Sequence, residues 1–99
     1  MDLNQKIEDA NRSGNFTLLV FFTDWSPHYE WIEPVVHEFS FPINIIRINM
    51  ETNQDIADKF DVTIAPSFIL MSKDVVRWEK SGMLYPGELK DVIEMFRKQ

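Results

Sequence analysis

The sequence of 99 residues contains no cysteine. This absence excludes disulfide bonds, thiolate metal ligands and thiol nucleophiles, so packing alone must hold the chain together. Positive charge is also scarce, because ten Lys and Arg residues stand against 16 Asp and Glu, for a formal net charge of −6. Phosphate backbones are bound by clusters of Lys and Arg, and the sequence has no such cluster. We therefore expect no nucleic acid partner.

Long apolar runs are absent as well. The longest, residues 16–22 and 64–71, are far too short to span a bilayer, so we expect no membrane partner. The first residues lack the basic start and apolar block of a signal peptide, which makes the cytoplasm the expected location. What the chain does contain is 44% hydrophobic and 13% aromatic residues. This composition predicts one folded domain over residues 1–99.

Hydrophobic periodicity predicts four helices and four strands in an α/β fold. Apolar residues recur at helical spacing in segments 3–10, 27–39, 54–60 and 87–97. Strands are predicted at 17–23, 43–49, 67–71 and 75–80. A helix joins the first two strands, which predicts a parallel pair, and a hairpin at residues 72–74 adds antiparallel strands. The expected architecture is a mixed sheet between helices.

The second helix is predicted to begin at WSPHYE, residues 25–30. Ser26 suits the N-cap and Pro27 the first helical position. Pro34 is expected to lie inside this helix and to kink its axis, because it removes one backbone hydrogen bond.

Two kinds of chemical site are conceivable around this segment, and the sequence favours neither. Ser26 and His28 form a hydroxyl–imidazole pair, but residues two apart do not face each other on a helix, and no acid is placed to orient the imidazole. Asp24, His28 and Glu30, with His37, offer metal-binding atoms without a standard ligand spacing. We therefore expect no catalytic residue, no metal and no cofactor.

The order of the elements and the positions of the proline and glycine residues between them resemble the thioredoxin family from Thr17 onward. The family motif W-C-G-P-C-K aligns with WSPHYE, so that Trp25 keeps the tryptophan while Ser26 and Tyr29 occupy the two cysteine positions. Pro27 and His28 stand at the Gly-Pro pair. Residues 64–67, Ile-Ala-Pro-Ser, resemble the family's cis-proline loop, and the resemblance implies a cis bond before Pro66.

The resemblance implies a three-layer α/β/α fold with a mixed four-stranded sheet. The family's N-terminal strand has no counterpart in MDLNQKIEDA, so one sheet edge is expected to be bare or paired with a partner. Thiol–disulfide exchange is not expected without cysteine. Val20 occupies the position where the family has a buried Asp, and Arg47 occupies the position of the Lys that partners this Asp. The loss of the buried acid fits the loss of redox chemistry.

The resemblance also implies a groove for extended peptides between the motif and the proline loop. The residues expected to line it are Trp25, Tyr29, Thr63, Ile64, Ala65 and Pro66. The favoured hypothesis is therefore a redox-inactive module that binds a protein or an extended peptide. Two alternatives stay open. In the first, one or two of Trp25, Tyr29 and Trp31 belong to the core or cover the helix start. In the second, Tyr29 fills the groove instead of lining it. A homodimer through the bare edge or the aromatic patch is the second hypothesis. An enzyme using Ser26, His28 and Tyr29 is the third.

Overall fold

The sheet has four strands in the order β2-β1-β3-β4 in the computed structural model, which describes residues 2–98. β1 pairs with β2 in parallel, whereas β1–β3 and β3–β4 are antiparallel. This is the mixed sheet that the sequence predicts. The elements along the chain are α1 (Leu3–Arg12), β1 (Phe16–Phe22), α2 (Ile32–Val36), β2 (Ile43–Asn49), α3 (Gln54–Lys59), β3 (Ser67–Ser72), β4 (Val75–Ser81) and α4 (Pro86–Arg97).

Two apolar clusters cover the two faces of this sheet. Because successive side chains of a strand point to opposite faces, Leu19 and Phe21 pack with α1 and α3, whereas Leu18 and Val20 pack with α2 and α4. All four of these side chains are essentially inaccessible to solvent. β1 is therefore buried on both faces, as its nearly continuous apolar sequence indicates. Within residues 2–98, no helix has the length and apolar character needed to cross a membrane.

The predicted start of the second helix is wrong. α2 begins at Ile32, so WSPHYE is an irregular loop, and the helix contains only five residues. A helix running from Pro27 would require Pro34 to donate to the carbonyl of Glu30, and proline has no N–H and clashes at that position. In the helix as formed, Pro34 lies in the first turn, where no intrahelical donor is needed. Pro34 therefore marks where the helix begins instead of kinking it.

β2 forms one edge of the sheet, and within residues 2–98 no other strand pairs with its outer side. The N–H of Met50 donates to the carbonyl of Phe22 at 2.8 Å, directly after the β2 ladder. Backbone groups of alternate strand residues point the same way, so the even-numbered residues of β2 face β1. The N–H and C=O groups of Ile43, Ile45, Arg47 and Asn49 therefore face outward.

Candidate functional site

Three loops meet at one end of the sheet. The WSPHYE loop follows β1, the Pro66 loop precedes β3, and a third segment, residues 82–85, follows β4. Phe21 lies opposite Ser67 in the antiparallel β1–β3 pair, which places the first two loops side by side. The N–H of Gly82 donates to the carbonyl of Pro66 at 2.8 Å and fixes the third segment against the second.

Ser26 stabilises the turn that follows β1. Its hydroxyl accepts a hydrogen bond from the N–H of Thr23 at 2.9 Å and donates to the carbonyl of the same residue at 3.0 Å. The side chain is buried. Ser26 is therefore no N-cap of α2, and its hydroxyl is occupied by backbone instead of being paired with His28. This arrangement removes the hydroxyl–imidazole pair that the enzyme hypothesis required.

The other residues of the former motif differ sharply in exposure. Trp25 projects into solvent with 77% of its surface exposed. His28 is exposed as well, and its ring lies 5.3 Å from the ring of Phe22. Pro27 is exposed between them. Trp25 is therefore available to a partner.

Tyr29 packs inward, at the position of the family's second cysteine. Its φ of 50° lies in the left-handed region, which tyrosine rarely adopts. The ring stands edge-on to Phe68 at 5.3 Å and to Trp31 at 5.7 Å, and both neighbours belong to or pack on the α2–α4 face. Tyr29 is consequently half-buried and contributes apolar surface beneath the loop.

Arg47 of β2 fixes the WSPHYE loop through hydrogen bonds to its backbone. Its guanidinium donates to the carbonyls of His28 at 2.7 Å and Tyr29 at 3.2 Å. It also forms a forked ion pair with Glu33, with donor–acceptor distances of 2.8 to 3.0 Å. These hydrogen bonds hold the pKa of Glu33 below its usual range, although partial burial acts in the opposite direction. Arg47 thus connects β2, the loop and the first turn of α2.

A hydrogen bond from the Ser67 side chain spans the Pro66 loop. The Ala65–Pro66 peptide bond is cis. The Ser67 hydroxyl donates to the carbonyl of Ile64 at 2.5 Å and contacts the Ser81 hydroxyl at 3.1 Å. Pro66 is buried, and Ala65 is partly buried against the α1–α3 core. Thr63 and Ile64 are exposed beside the WSPHYE loop.

Two exposed apolar residues at this end of the sheet were not predicted as site residues from the sequence. Met83 and Tyr85 are 63% and 57% exposed, and the Tyr85 hydroxyl contacts the Met83 sulfur at 3.8 Å. Leu84 between them is buried, so an alternation of outward and inward side chains after Gly82 could have indicated them. Together with Trp25 and Ile64 they form what we call the apolar rim.

No metal centre accompanies this rim in the described part of the chain. Among residues 2–98, no three His, Cys, Asp or Glu side chains are placed to share an ion. Asp24 interacts locally instead, since its N–H lies 3.4 Å from a carboxylate oxygen of Glu51 and its own carboxylate accepts from Asn49 at 3.5 Å.

Comparison with solved structures identifies the fold. The chain superimposes with a TM-score of 0.78 on a mutant thioredoxin from Halobacterium salinarum NRC-1, at 24% identity over 93% of this chain and 83% of that one. A chloroplastic thioredoxin z matches with a TM-score of 0.81 at 16% identity, covering 96% of this chain and 90% of the other.

Sequence comparison extends the similarity to named relatives. Thioredoxin H5 of Arabidopsis thaliana is 30% identical over 71% of this chain and 62% of its own length. Thioredoxin-2 of Pyricularia oryzae is 32% identical over 90% of this chain and 53% of its own length. The matched region thus spans less than two thirds of either relative. The family model described as Thioredoxin matches residues 2–95. The chain belongs to the thioredoxin family.

Proposed function

We propose that this protein binds extended polypeptide segments at the apolar rim and performs no thiol–disulfide exchange. The observation that carries the proposal is the rim itself, because its four large apolar side chains come from three loops and are each more than half exposed. Exposed apolar patches of this kind mark interaction sites, and Trp and Tyr are enriched at binding hot spots.

The two former cysteine positions support the proposed lack of thiol–disulfide exchange. Ser26 binds the backbone of Thr23, and Tyr29 packs on Phe68, so neither side chain offers a nucleophile for a disulfide. Insulin reduction in the presence of dithiothreitol should proceed at the rate of the buffer control. A thioredoxin with both cysteines serves as the positive control, and turnover above buffer by the present protein would contradict this part of the proposal.

Backbone groups of the Pro66 loop support an extended ligand. No hydrogen bond within residues 2–98 engages the N–H or C=O of Ala65. An extended segment lying across the rim can pair with these groups in the manner of a short added strand. Such pairing needs no particular side chain from the ligand, so the rim would supply the selectivity through apolar contacts.

Charge around the rim favours a segment that combines apolar and basic residues. Asp24, Glu30 and Glu51 are exposed on or next to the WSPHYE loop, and the whole chain carries a net charge of −6. Complementary charge accelerates encounter and selects between partners more than it adds affinity. We therefore expect the bound segments to carry Lys or Arg beside an apolar anchor.

The test is a selection from a peptide-display library followed by affinity measurements. A selected peptide is labelled, and its Kd is measured by fluorescence polarisation for the wild type, Trp25→Ala and Met83→Ala. Each substitution should weaken binding at least tenfold, about 1.4 kcal/mol. Met95→Ala is the matched control, because Met95 is 50% exposed on α4, away from the three loops. Equal affinities for all three variants and the wild type would refute the rim as the site.

A second candidate function is self-association through β2, favoured by the outward backbone groups of its edge. Two copies of β2 pairing antiparallel about Ile46 would place Ile45 opposite Arg47 and use all seven strand residues. Ile45→Pro removes an outward N–H without removing a bond to β1. In sedimentation velocity the wild type and Ile45→Val should form dimers and Ile45→Pro should not. A wild type that stays monomeric at millimolar concentration would eliminate this candidate.

A further inference from the structure

A cationic cavity lies at the end of the sheet opposite the rim. Its volume is about 290 Å³, and it is lined by Phe16, Ser72, Lys73, Arg77, Phe96 and Arg97. Three of the ten Lys and Arg residues of an acidic chain therefore surround one cavity. They come from the β3–β4 turn, from β4 and from the end of α4, so the fold and not the local sequence brings them together.

A β-bulge directs Arg77 into this cavity. Leu70 pairs with Trp78 and Met71 pairs with Val76, which leaves Arg77 as the extra residue on β4. Regular alternation would place Arg77 on the face opposite Trp78. The bulge instead brings its side chain to the same cavity as Phe16 and Phe96, which pack on the α2–α4 face. Bulges are a common means of redirecting a side chain next to a functional site.

The turn that carries Lys73 adopts an unfavourable conformation for its sequence. Lys73 and Asp74 have φ angles of 54° and 65° and form a two-residue hairpin loop between Ser72 and Val75. Loops of this type strongly prefer Asn-Gly or Asp-Gly, because both central residues are left-handed. A lysine at such a position is a backbone outlier of the kind that concentrates at functional sites.

Two of the three cations lack a carboxylate partner. No carboxylate of residues 2–98 lies within 4.0 Å of the charged nitrogens of Lys73 or Arg77. Arg97 is different, since it binds Glu94 at 2.6 Å and lies 5.7 Å from the ring of Phe41. The cavity thus presents about two uncompensated positive charges above the two partly buried phenyl rings of Phe16 and Phe96.

We propose that this cavity binds a phosphate monoester carried on an aromatic ring. A phosphate monoester has a charge of about −1.5 to −2 near neutral pH, which matches the two uncompensated cations. Guanidinium groups bind phosphate oxygens through paired hydrogen bonds, so Arg77 would orient the group while Lys73 neutralises it. The phenyl rings would contact the ligand's ring by stacking. The remaining surface of this acidic chain repels such an anion.

The test uses phenyl phosphate as the probe in a ¹H–¹⁵N NMR titration of the 99-residue chain. Shift changes should be confined to residues around the cavity. Inorganic phosphate and benzyl alcohol, which each lack half of the ligand, should bind at least about tenfold more weakly. A phosphotyrosine peptide, which carries its phosphate on the ring, should bind at least as tightly as phenyl phosphate if the source is a protein. Adenosine monophosphate, whose phosphate is on the ribose, should bind more weakly than phenyl phosphate.

Variants separate specific binding from general charge. Lys73→Gln and Arg77→Gln should each weaken phenyl phosphate binding at least about tenfold. Lys59→Gln, which removes an exposed cation on α3, should leave the affinity unchanged. The proposal is overturned if inorganic phosphate binds as tightly as phenyl phosphate, if the three variants behave alike, or if no cavity residue shifts. Amide spectra of the variants verify that the fold is intact. Rim binding plays no part in this test, so the two proposals can fail independently.

Discussion

Removal of the Arg47 guanidinium is the perturbation with the largest expected effect on the WSPHYE loop. Arg47→Met keeps an unbranched apolar stem but eliminates every hydrogen bond of the head group. The bonds lost are those to the carbonyls of His28 and Tyr29 and the forked pair with Glu33. Glu33→Gln, by contrast, leaves both carbonyl bonds in place.

The magnitude follows from the exposure of the partners. The side chains of Arg47 and Glu33 are 29% and 40% exposed, so solvent screens their ion pair and its contribution is about 1 kcal/mol or less. Hydrogen bonds from a charged group to a carbonyl contribute about 1.5 kcal/mol each at the low end of their range, which is appropriate to partial exposure. We therefore expect Arg47→Met to lower the free energy of unfolding by about 3 to 4 kcal/mol, and Glu33→Gln by about 1 kcal/mol or less.

Urea unfolding followed by circular dichroism measures both values, and a double-mutant cycle isolates the ion pair. The pH dependence gives a second readout. A carboxylate whose pKa is lowered by folding contributes stability above the ordinary Glu range, and this contribution is lost as the pH falls below that range through the lowered pKa. Arg47→Met should remove that part of the acid dependence. If Arg47→Met costs no more than Glu33→Gln, the two carbonyl bonds contribute nothing and the reasoning fails.

Three further substitutions test local features. Ser26→Ala should cost about 1 to 2 kcal/mol in urea unfolding, because the N–H of Thr23 loses its partner, and an unchanged midpoint would contradict the turn as described. The double substitution Lys73→Asn with Asp74→Gly should raise the free energy of unfolding by about 1 kcal/mol or more, because Asn and Gly suit the positive φ angles at positions 73 and 74. A lower Tm would argue against the left-handed turn. Asn11→Leu should stabilise the folded protein by about 1 kcal/mol in a thermal melt, because the buried Asn11 Oδ1 has no hydrogen-bond partner within residues 2–98. A loss of stability would mean that an ordered water satisfies this oxygen.

The strands could be predicted because each is encoded by a local pattern. The pattern of INIIRIN predicts a strand at residues 43–49, and β2 occupies the same residues. The hairpin was equally accessible, since Lys73 and Asp74 separate two β-rich runs. The family resemblance then implies the three-layer arrangement around a mixed four-stranded sheet, which no single segment determines. Local pattern and resemblance together were sufficient for the fold.

The geometry of the WSPHYE loop could not be predicted in the same way. Ser26 and Pro27 satisfy the local rules for a helix start, yet Arg47, some 20 residues away in sequence, captures the carbonyls that such a helix would use. The exposure of Met83 likewise depends on how Gly82 is held against Pro66. Such features arise from contacts between distant segments, and a single sequence does not display those contacts.

Val20 and Arg47 are linked in a way that explains why this loop differs from a redox motif. They are directly opposite in the β1–β2 register, and their side chains share the α2–α4 face. Neighbouring strands lie about 4.8 Å apart, so a carboxylate at position 20 would be within reach of the guanidinium and would compete with Glu33 and the loop carbonyls for it. Val20 is fully buried and offers no such acceptor. The apolar residue therefore leaves the Arg47 guanidinium free to bind Glu33 and the carbonyls of the loop, at the position where the family resemblance places a redox carboxylate.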